Sequence, residues 1–217
     1  MTTKLMRHHI FSELRDGIMS CSLAPGSEMS ENELARRFGV SKTPIRDALQ
    51  KLEFEGLVEI TARQGHRVTQ ISVSDAQDIL ELRKILEVGA VRKIAAEAGN
   101  RALSDLDRFR DADMSSLAEF ARYNHTFHRH LSELSGNRRL LDAMRRLMDN
   151  YDRICVVSLS MRRTEAEAMV AALVDHNKLI DALQVRDGSA AARLAAKHIE
   201  RSRTQVLRGL SNTAVVA

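Results

Sequence analysis

Residues 30–68 read SENELARRFGVSKTPIRDALQKLEFEGLVEITARQGHRV, and three pieces follow one another in them. Leu34, Ala35 and Phe38 fall at helical spacing, with Ser30 placed to cap the first turn. Gly39 and Val40 interrupt that helix. Ser41 then caps a second helix, expected to run to about Glu55, with Gly56 as its stop. Pro44 lies in the first turn of this helix, where its missing N–H costs nothing. Ile45, Ala48, Leu49 and Leu52 share one face, which leaves Lys42, Thr43 and Arg46 on another. Beyond Gly56, residues 57–60 and 66–68 read as two short strands around a turn at residues 62–65.

Helix, short Gly-containing turn, helix and β-hairpin in that order form the winged helix-turn-helix pattern. In such a unit the second helix enters the major groove of DNA with its N-terminal residues at the base edges. Lys42 and Arg46 offer donors to guanine or phosphate, and Ser41 and Thr43 offer short hydroxyls at a helix N-terminus that attracts phosphate. Arg63 and Arg67 on the hairpin are placed to follow the adjacent minor groove or backbone. The plainer alternative is a small α/β subdomain whose basic residues are only solvated; the ordered coincidence of cap, turn, proline and hairpin speaks against it.

The run LARRFGVSKTPIRDALQKLEFEGLVE closely resembles the DNA-binding half of the GntR family of bacterial transcription regulators, over about the first 70 residues. The resemblance implies contacts with DNA at Asn32, Ser41, Lys42, Thr43 and Arg46, and at Arg63, Gln64 and Gly65 in the wing. Many relatives carry Arg where this chain has Lys42; a lysine is a point charge without the planar fork that grips guanine.

Composition agrees with an ordinary folded chain: of 217 residues, 44% are hydrophobic and 29% charged, which places it outside the disordered class. Two prolines and no tryptophan, among abundant Ala, Leu, Arg and Glu, favour a mostly helical protein. No run approaches the ~18 apolar residues of a membrane span, and residues 1–21 lack the apolar core of a signal peptide, so a cytoplasmic chain without membrane association is expected. Cys21 and Cys155 stand far apart, as reduced thiols do. The net charge of +4 does not single out the N-terminal part, where ten Lys/Arg meet nine Asp/Glu through Gln70. The DNA reading therefore rests on local pattern.

Upstream of the motif, residues 3–20 form a first helix with Ile10, Phe11, Leu14 and Ile18 on its apolar face. Adjacent His8 and His9 point about 100° apart on it and read as solvated. The expected organisation is a winged helix-turn-helix domain with a small β-hairpin over 1–70, a linker at 71–74, a helical domain over 75–211 and a loose tail at 212–217. The helical domain reads as a six-helix antiparallel bundle. Ser74 caps a long first helix whose buried stripe is expected to be Ile79, Leu82, Ile85, Leu86, Gly89 and Ile94. The others cover 103–114 (short and highly charged), 117–135, 138–159, 165–186 and about 189–209.

Histidines gather in that bundle. Asn124 and His128 are four apart and share a face with Phe127 and Leu131 beside them; His176 and His198 each lie on or near an apolar stripe of another helix. Bundle interiors are where helical proteins build metal sites, and imidazole suits Zn, Ni, Fe or Cu, although single histidines on helix faces are also ordinary core residues. His125 and His130 lie off this face and are expected to be exposed. The run NHTFHRHLSELSGN resembles the signature of the FCD effector domain of the FadR-type branch of the GntR family. That resemblance implies a divalent metal ion (zinc first, with nickel, iron or manganese as alternatives) held by Asn124, His128, His176 and His198. Asn124 replaces the more frequent Asp, a neutral oxygen for a carboxylate. It further implies a small carboxylate effector bound at the metal, with Arg83 of the first bundle helix taking its other end. The i,i+4 spacing equally permits an ion pair of Arg83 with Glu87.

The reading is a transcription regulator, by default a repressor, that binds double-stranded operator DNA as a homodimer under the control of a metal-anchored acid. A direct metal sensor without an organic effector is the alternative. A metal-dependent hydrolase fused to a DNA-binding head is disfavoured, because no HExxH, GxSxG or phosphate-binding glycine loop occurs; no enzyme is expected.

Overall fold

The computed structural model describes residues 3–61, 65–159 and 165–211, in two compact units that divide between Ser72 and Val73. The first unit runs α1 (Thr3–Met19), β1 (Glu28–Met29), α2 (Glu31–Phe38), α3 (Lys42–Phe54), β2 (Val58–Thr61) and β3 (Gly65–Val68). Ile10, Leu14 and Ile18 of α1 bury against Ile45, Leu49 and Leu52 of α3, as their spacing predicts. Gly39 ends α2 in the left-handed region at φ 65°, and its N–H returns to Ala35 O and Arg36 O, a conformation that costs a residue with a Cβ more than it costs glycine. Ser30 and Ser41 occupy the two N-cap positions with extended backbone, but neither side chain makes the capping bond expected of it.

The wing is a three-stranded antiparallel sheet of order β1-β3-β2, with Ile60 opposite His66 on one side of β3 and Met29 opposite His66 on the other. Sequence spacing had offered two strands. The two residues of β1 are too few to show alternation, and only their pairing with β3 makes them a strand.

The second unit is a helical bundle of α4 (Val73–Glu97), α5 (Asn100–Ser104), α6 (Leu117–Leu134), α7 (Arg138–Leu159), α8 (Glu165–Gln184) and α9 (Gly188–Leu210). Its core includes Val91, Ile94, Phe109, Phe127, Leu179 and Ile180. The second helix differs from the expected 103–114. Helix α5 passes at Ser104 into a turn of 3-10 helix over Asp105–Phe109, where the helical geometry ends. Leu103, Leu106 and Phe109 are buried at intervals of three, the repeat at which a 3-10 turn aligns side chains. Arg110 then bonds Asp107 and Asp181, fixing the exit of this segment to α8.

The expected buried stripe of α4 is corrected. Leu82 is 47% and Ile85 63% exposed, while Ala76, Leu80, Arg83, Glu87, Ala90, Val91, Ile94 and Ala95 face the core. Hydropathy assigns an arginine and a glutamate to the wet face, but Arg83 and Glu87 neutralise each other and go inside as a pair. Helix α9 crosses α7 closely at Gly209, where a Cβ would stand 2.7 Å from Ser158 Cβ and 2.8 Å from its Cα. Among the described residues no helix is long and apolar enough to cross a membrane.

Candidate metal centre and nucleic-acid interface

Helices α6, α8 and α9 each deliver one histidine to the middle of the bundle. His128, His176 and His198 are buried, and one ring nitrogen of each lies within 4.8 Å of the others. The second nitrogen of each ring fixes which one points inward. His128 Nδ1 is 2.9 Å from Glu87 Oε2, a carboxylate that can only accept, so Nδ1 carries the proton and Nε2 the lone pair. Tyr123 donates its hydroxyl to Phe109 O at 3.0 Å and stands 3.0 Å from His176 Nδ1, so it accepts from that N–H. His198 Nδ1 faces Asp175 Oδ2 at 3.5 Å, and Asp175 is held in turn by Arg201 at 2.7 Å. One nitrogen of each ring is thereby left facing the other two, within 4.8 Å. His176 Nε2 and His198 Nε2 approach to 3.3 Å. Two lone pairs at that distance repel unless a cation or proton lies between them.

Electrostatics keep the rings in the ligating form. Burial, then the Arg83 charge, lowers His128 to about 3; burial and the neighbouring imidazoles hold His176 well below the ordinary histidine value. Burial lowers His198 as well, with Asp175 pulling the other way. Phe127 stacks on His176 at 4.2 Å between centroids and closes one wall. An imidazole whose N–H is held by a carboxylate or hydroxyl is oriented and more basic toward a metal, so the donor set fits a divalent cation of the Zn, Ni or Fe type. Asn124, one turn before His128, is buried and lines a cavity of about 20 Å³ with His198, Tyr151, Cys155 and Ser202, room for about one water molecule.

Arg83 is completely buried at the edge of this cluster. Its Nε donates to Glu87 Oε1 at 2.6 Å, its Nη2 to His128 Nε2 at 2.5 Å, and its guanidinium lies over the Tyr151 ring at 4.3 Å. Nη1 has no hydrogen-bond partner among the described residues. Burial is the largest single influence on Arg83 and opposes its charge, but Glu87, Tyr151 and Cys155 together outweigh it; burial likewise opposes the Glu87 charge, and Arg83 with His128 holds that carboxyl below its usual range. The i,i+4 ion pair thus exists, and it lies against the histidine cluster. His125 and His130, expected to be exposed, are half-buried: His125 Nδ1 meets Asp152 Oδ2 at 2.6 Å, and His130 stands beside Arg108. Sequence reasoning missed Tyr123 and Asp175 as partners of the histidines. Their adjacency to Asn124 and His176 was the available signal, but no spacing rule says which ring each would meet.

In the first unit Ser41, Lys42, Thr43 and Arg46 are exposed at the N-terminal end of α3, and Asn32 is exposed on α2. Gln50, one turn beyond Arg46, shares that open face. The Arg46 guanidinium is held by both carboxylate oxygens of Glu31, at 2.9 and 3.0 Å. Gly65 opens β3 at φ +96°, and Arg63 and Gln64 lie outside the described residues. Arg67 turns toward Glu28 at 3.6 Å.

Comparison with known proteins joins the two units. Residues 6–68 match the model of the bacterial regulatory proteins of the gntR family, and residues 78–201 match the FCD domain. The HTH-type transcriptional repressor RspR of Escherichia coli K12 is 27% identical over 91% of this chain and 87% of its own length. An uncharacterized HTH-type transcriptional regulator of Streptomyces ambofaciens, from an unstable DNA locus, is 30% identical over 83% of this chain and 76% of its own. The E. coli McbR/YncC structure superposes with a TM-score of 0.73 at 18% identity, covering 95% of this chain and 99% of that one, and so shares the fold. The chain belongs to the GntR family of bacterial transcription regulators, in the group whose helix-turn-helix unit is followed by an FCD domain.

Proposed function

We propose that this regulator is a cytoplasmic homodimeric repressor whose hold on a palindromic operator is set by a small carboxylate bound at a metal ion in the bundle. The observation that carries the proposal is the meeting of three buried histidines, one ring nitrogen of each within 4.8 Å of the others, beside a buried, incompletely bonded guanidinium. Zinc suits such nitrogen donors, and Asn124, which lines a small cavity together with His198, would add an oxygen. Arg83 takes the free end of the acid. The name of RspR as a repressor supports the sign of regulation. Domain roles follow the two units: 1–70 reads DNA through Asn32, Ser41, Lys42, Thr43, Arg46 and the wing residues Arg63, Gln64 and Gly65; 75–211 senses and dimerises.

Two further observations support parts of this reading. The exposed apolar Leu82 and Ile85 on α4 form a ridge suited to a second copy. Glu87, the carboxylate next to the cluster, is committed to Arg83 and His128 rather than placed to activate water, which speaks against hydrolysis.

Metal content of the purified protein tests the centre. About one zinc per chain is expected in wild type and none in the variant carrying His176→Ala and His198→Ala. A wild type that stays metal-free after incubation with zinc would reduce the three histidines to packing.

A further inference from the structure

Away from the histidine centre, α4 and α9 leave a groove of about 810 Å³ between them. The two helices run antiparallel. A Cβ at Gly188, which opens α9, would stand 3.8 Å from Arg92 Cα, and further along α9 Glu200 pairs with Lys84 at 3.6 Å. From Leu80 to Arg92 on α4 the groove is about 18 Å long. Its apolar lining is Leu80, Val88, Ala192, Ala196 and Ile199, with Ile85 on the rim and 63% exposed. Ala192 and Ala196 are four apart on α9 and share this face, where larger side chains would fill the space.

Charge is divided along the groove. Toward one end Glu200 engages both Lys84 and Arg203, at 3.6 and 3.4 Å, and Glu81 adds a second carboxylate. Toward the other end stand Arg92 and Arg193, whose side chains have no ion pair or hydrogen bond among the described residues. No carboxylate lines the groove beside them, while Ser189 offers a hydroxyl.

We propose that this groove binds an amphiphilic anion, with its carboxylate or phosphate head at Arg92 and Arg193 and its apolar body along the alanine floor toward Leu80. Two unpaired guanidiniums give the head charge-assisted donors, and the carboxylates at the far end fix which way round it lies. The volume falls in the ~300–1,000 Å³ range of small-molecule sites. An extended chain of about 12 carbons fits the length. An inorganic anion would leave the apolar floor unused, and a neutral lipid would leave the arginines unused. A cationic amphiphile meets four basic lining residues against two acidic ones. The same excess argues against a second copy over the floor, because a two-fold axis would set it against itself. Ile85 on the rim remains available to the ridge proposed for the dimer.

Isothermal titration calorimetry of the full chain tests this, with dodecanoate, dodecyl phosphate, octanoate and dodecyltrimethylammonium, each below its micelle-forming concentration. One of the dodecyl anions should bind at one site per chain, and the tighter of the two names the head. Its affinity should exceed that of octanoate at least tenfold, because each buried methylene contributes. It should exceed that of the ammonium by as much. R92Q/R193Q should weaken the anion at least tenfold, and A196L at least fivefold by filling the floor, both with the helical circular dichroism of wild type. Excess acetate, which lacks the apolar body, should not displace it. Wild-type affinity in either variant, or equal binding of anion and ammonium, would mean non-specific adsorption and overturn the proposal. Displacement by acetate would overturn it too, by placing the anion at the histidine centre. A helical wild type that binds neither dodecyl anion would exclude this ligand class from the groove.

Discussion

His176 Nε2 faces His198 Nε2 at 3.3 Å, while the Nδ1 of each ring is already directed at Tyr123 or Asp175. Neither ring can turn its lone pair away without giving up that partner. On the proposed reading, a cation between the rings draws on both lone pairs and stabilises the bundle. A ligand at a hundred times its dissociation constant stabilises by about 2.7 kcal/mol. For a chain of this size that amounts to roughly 5–10 °C in Tm. Zinc should raise the melting temperature of the wild type by that much, and EDTA should lower it. His198→Ala should remove the zinc effect. Equal melting curves with zinc and with EDTA would contradict the assignment.

Without metal, the same burial makes the bundle sensitive to acid. The three imidazoles are held below the ordinary histidine value in the folded state, so the unfolded chain takes up protons first as pH falls. Stability is complete above about pH 6.5 and declines below it, by up to about 1.4 kcal/mol per pH unit for each ring that stays neutral. For His128 the decline continues toward about pH 3. Melting of the EDTA-treated protein at pH 7.5 and 5.5 checks this: Tm should fall steeply, and less so in His176→Ala. A flat profile would mean that the rings accept protons in place.

Arg46 pairs with Glu31 at 2.9 Å, so in the proposed interface operator phosphates or bases compete with that carboxylate. Arg46→Ala should weaken operator binding by about 1–3 kcal/mol. Glu31→Gln should have the opposite effect on non-specific DNA, raising its affinity because the guanidinium is no longer neutralised. Fluorescence anisotropy with operator and scrambled duplexes separates the two. An Arg46→Ala protein that binds both duplexes as wild type does would remove this residue from the interface.

Leu82 and Ile85 present apolar side chains on the open side of α4. Leu82→Asp with Ile85→Asp should convert a dimer to a monomer by analytical ultracentrifugation, with the helical circular dichroism unchanged because neither side chain is buried within the chain. Operator affinity should fall at least tenfold with the loss of the second reading head. A double variant that still sediments as a dimer places the interface elsewhere.

The reading unit was legible because each of its signals is local. Gly39 at a left-handed turn, Pro44 in a first turn and the apolar face of α3 each report on their own few residues. The bundle was legible in the boundaries of its long helices but not in those of its second helix, nor in the face that α4 buries. That face depends on Arg83 and Glu87 entering the core as a mutually compensated pair, which a hydropathy pattern scores as two wet residues. The 3-10 turn escaped for a similar reason: three-residue spacing of Leu103, Leu106 and Phe109 also fits an α-helix within one turn. For the candidate centre, the residue types and helices were readable. The tautomers, and hence the direction of the lone pairs, come from Glu87, Tyr123 and Asp175, whose meeting with the rings is a tertiary fact.

Operator affinity of the zinc-loaded protein, titrated with small carboxylic acids, tests the central claim most directly. One such acid should weaken binding at least tenfold in wild type and leave the His176→Ala/His198→Ala protein, which still binds operator, unaffected. An operator affinity that no acid changes, or that changes equally in both proteins, would contradict control through the histidine centre.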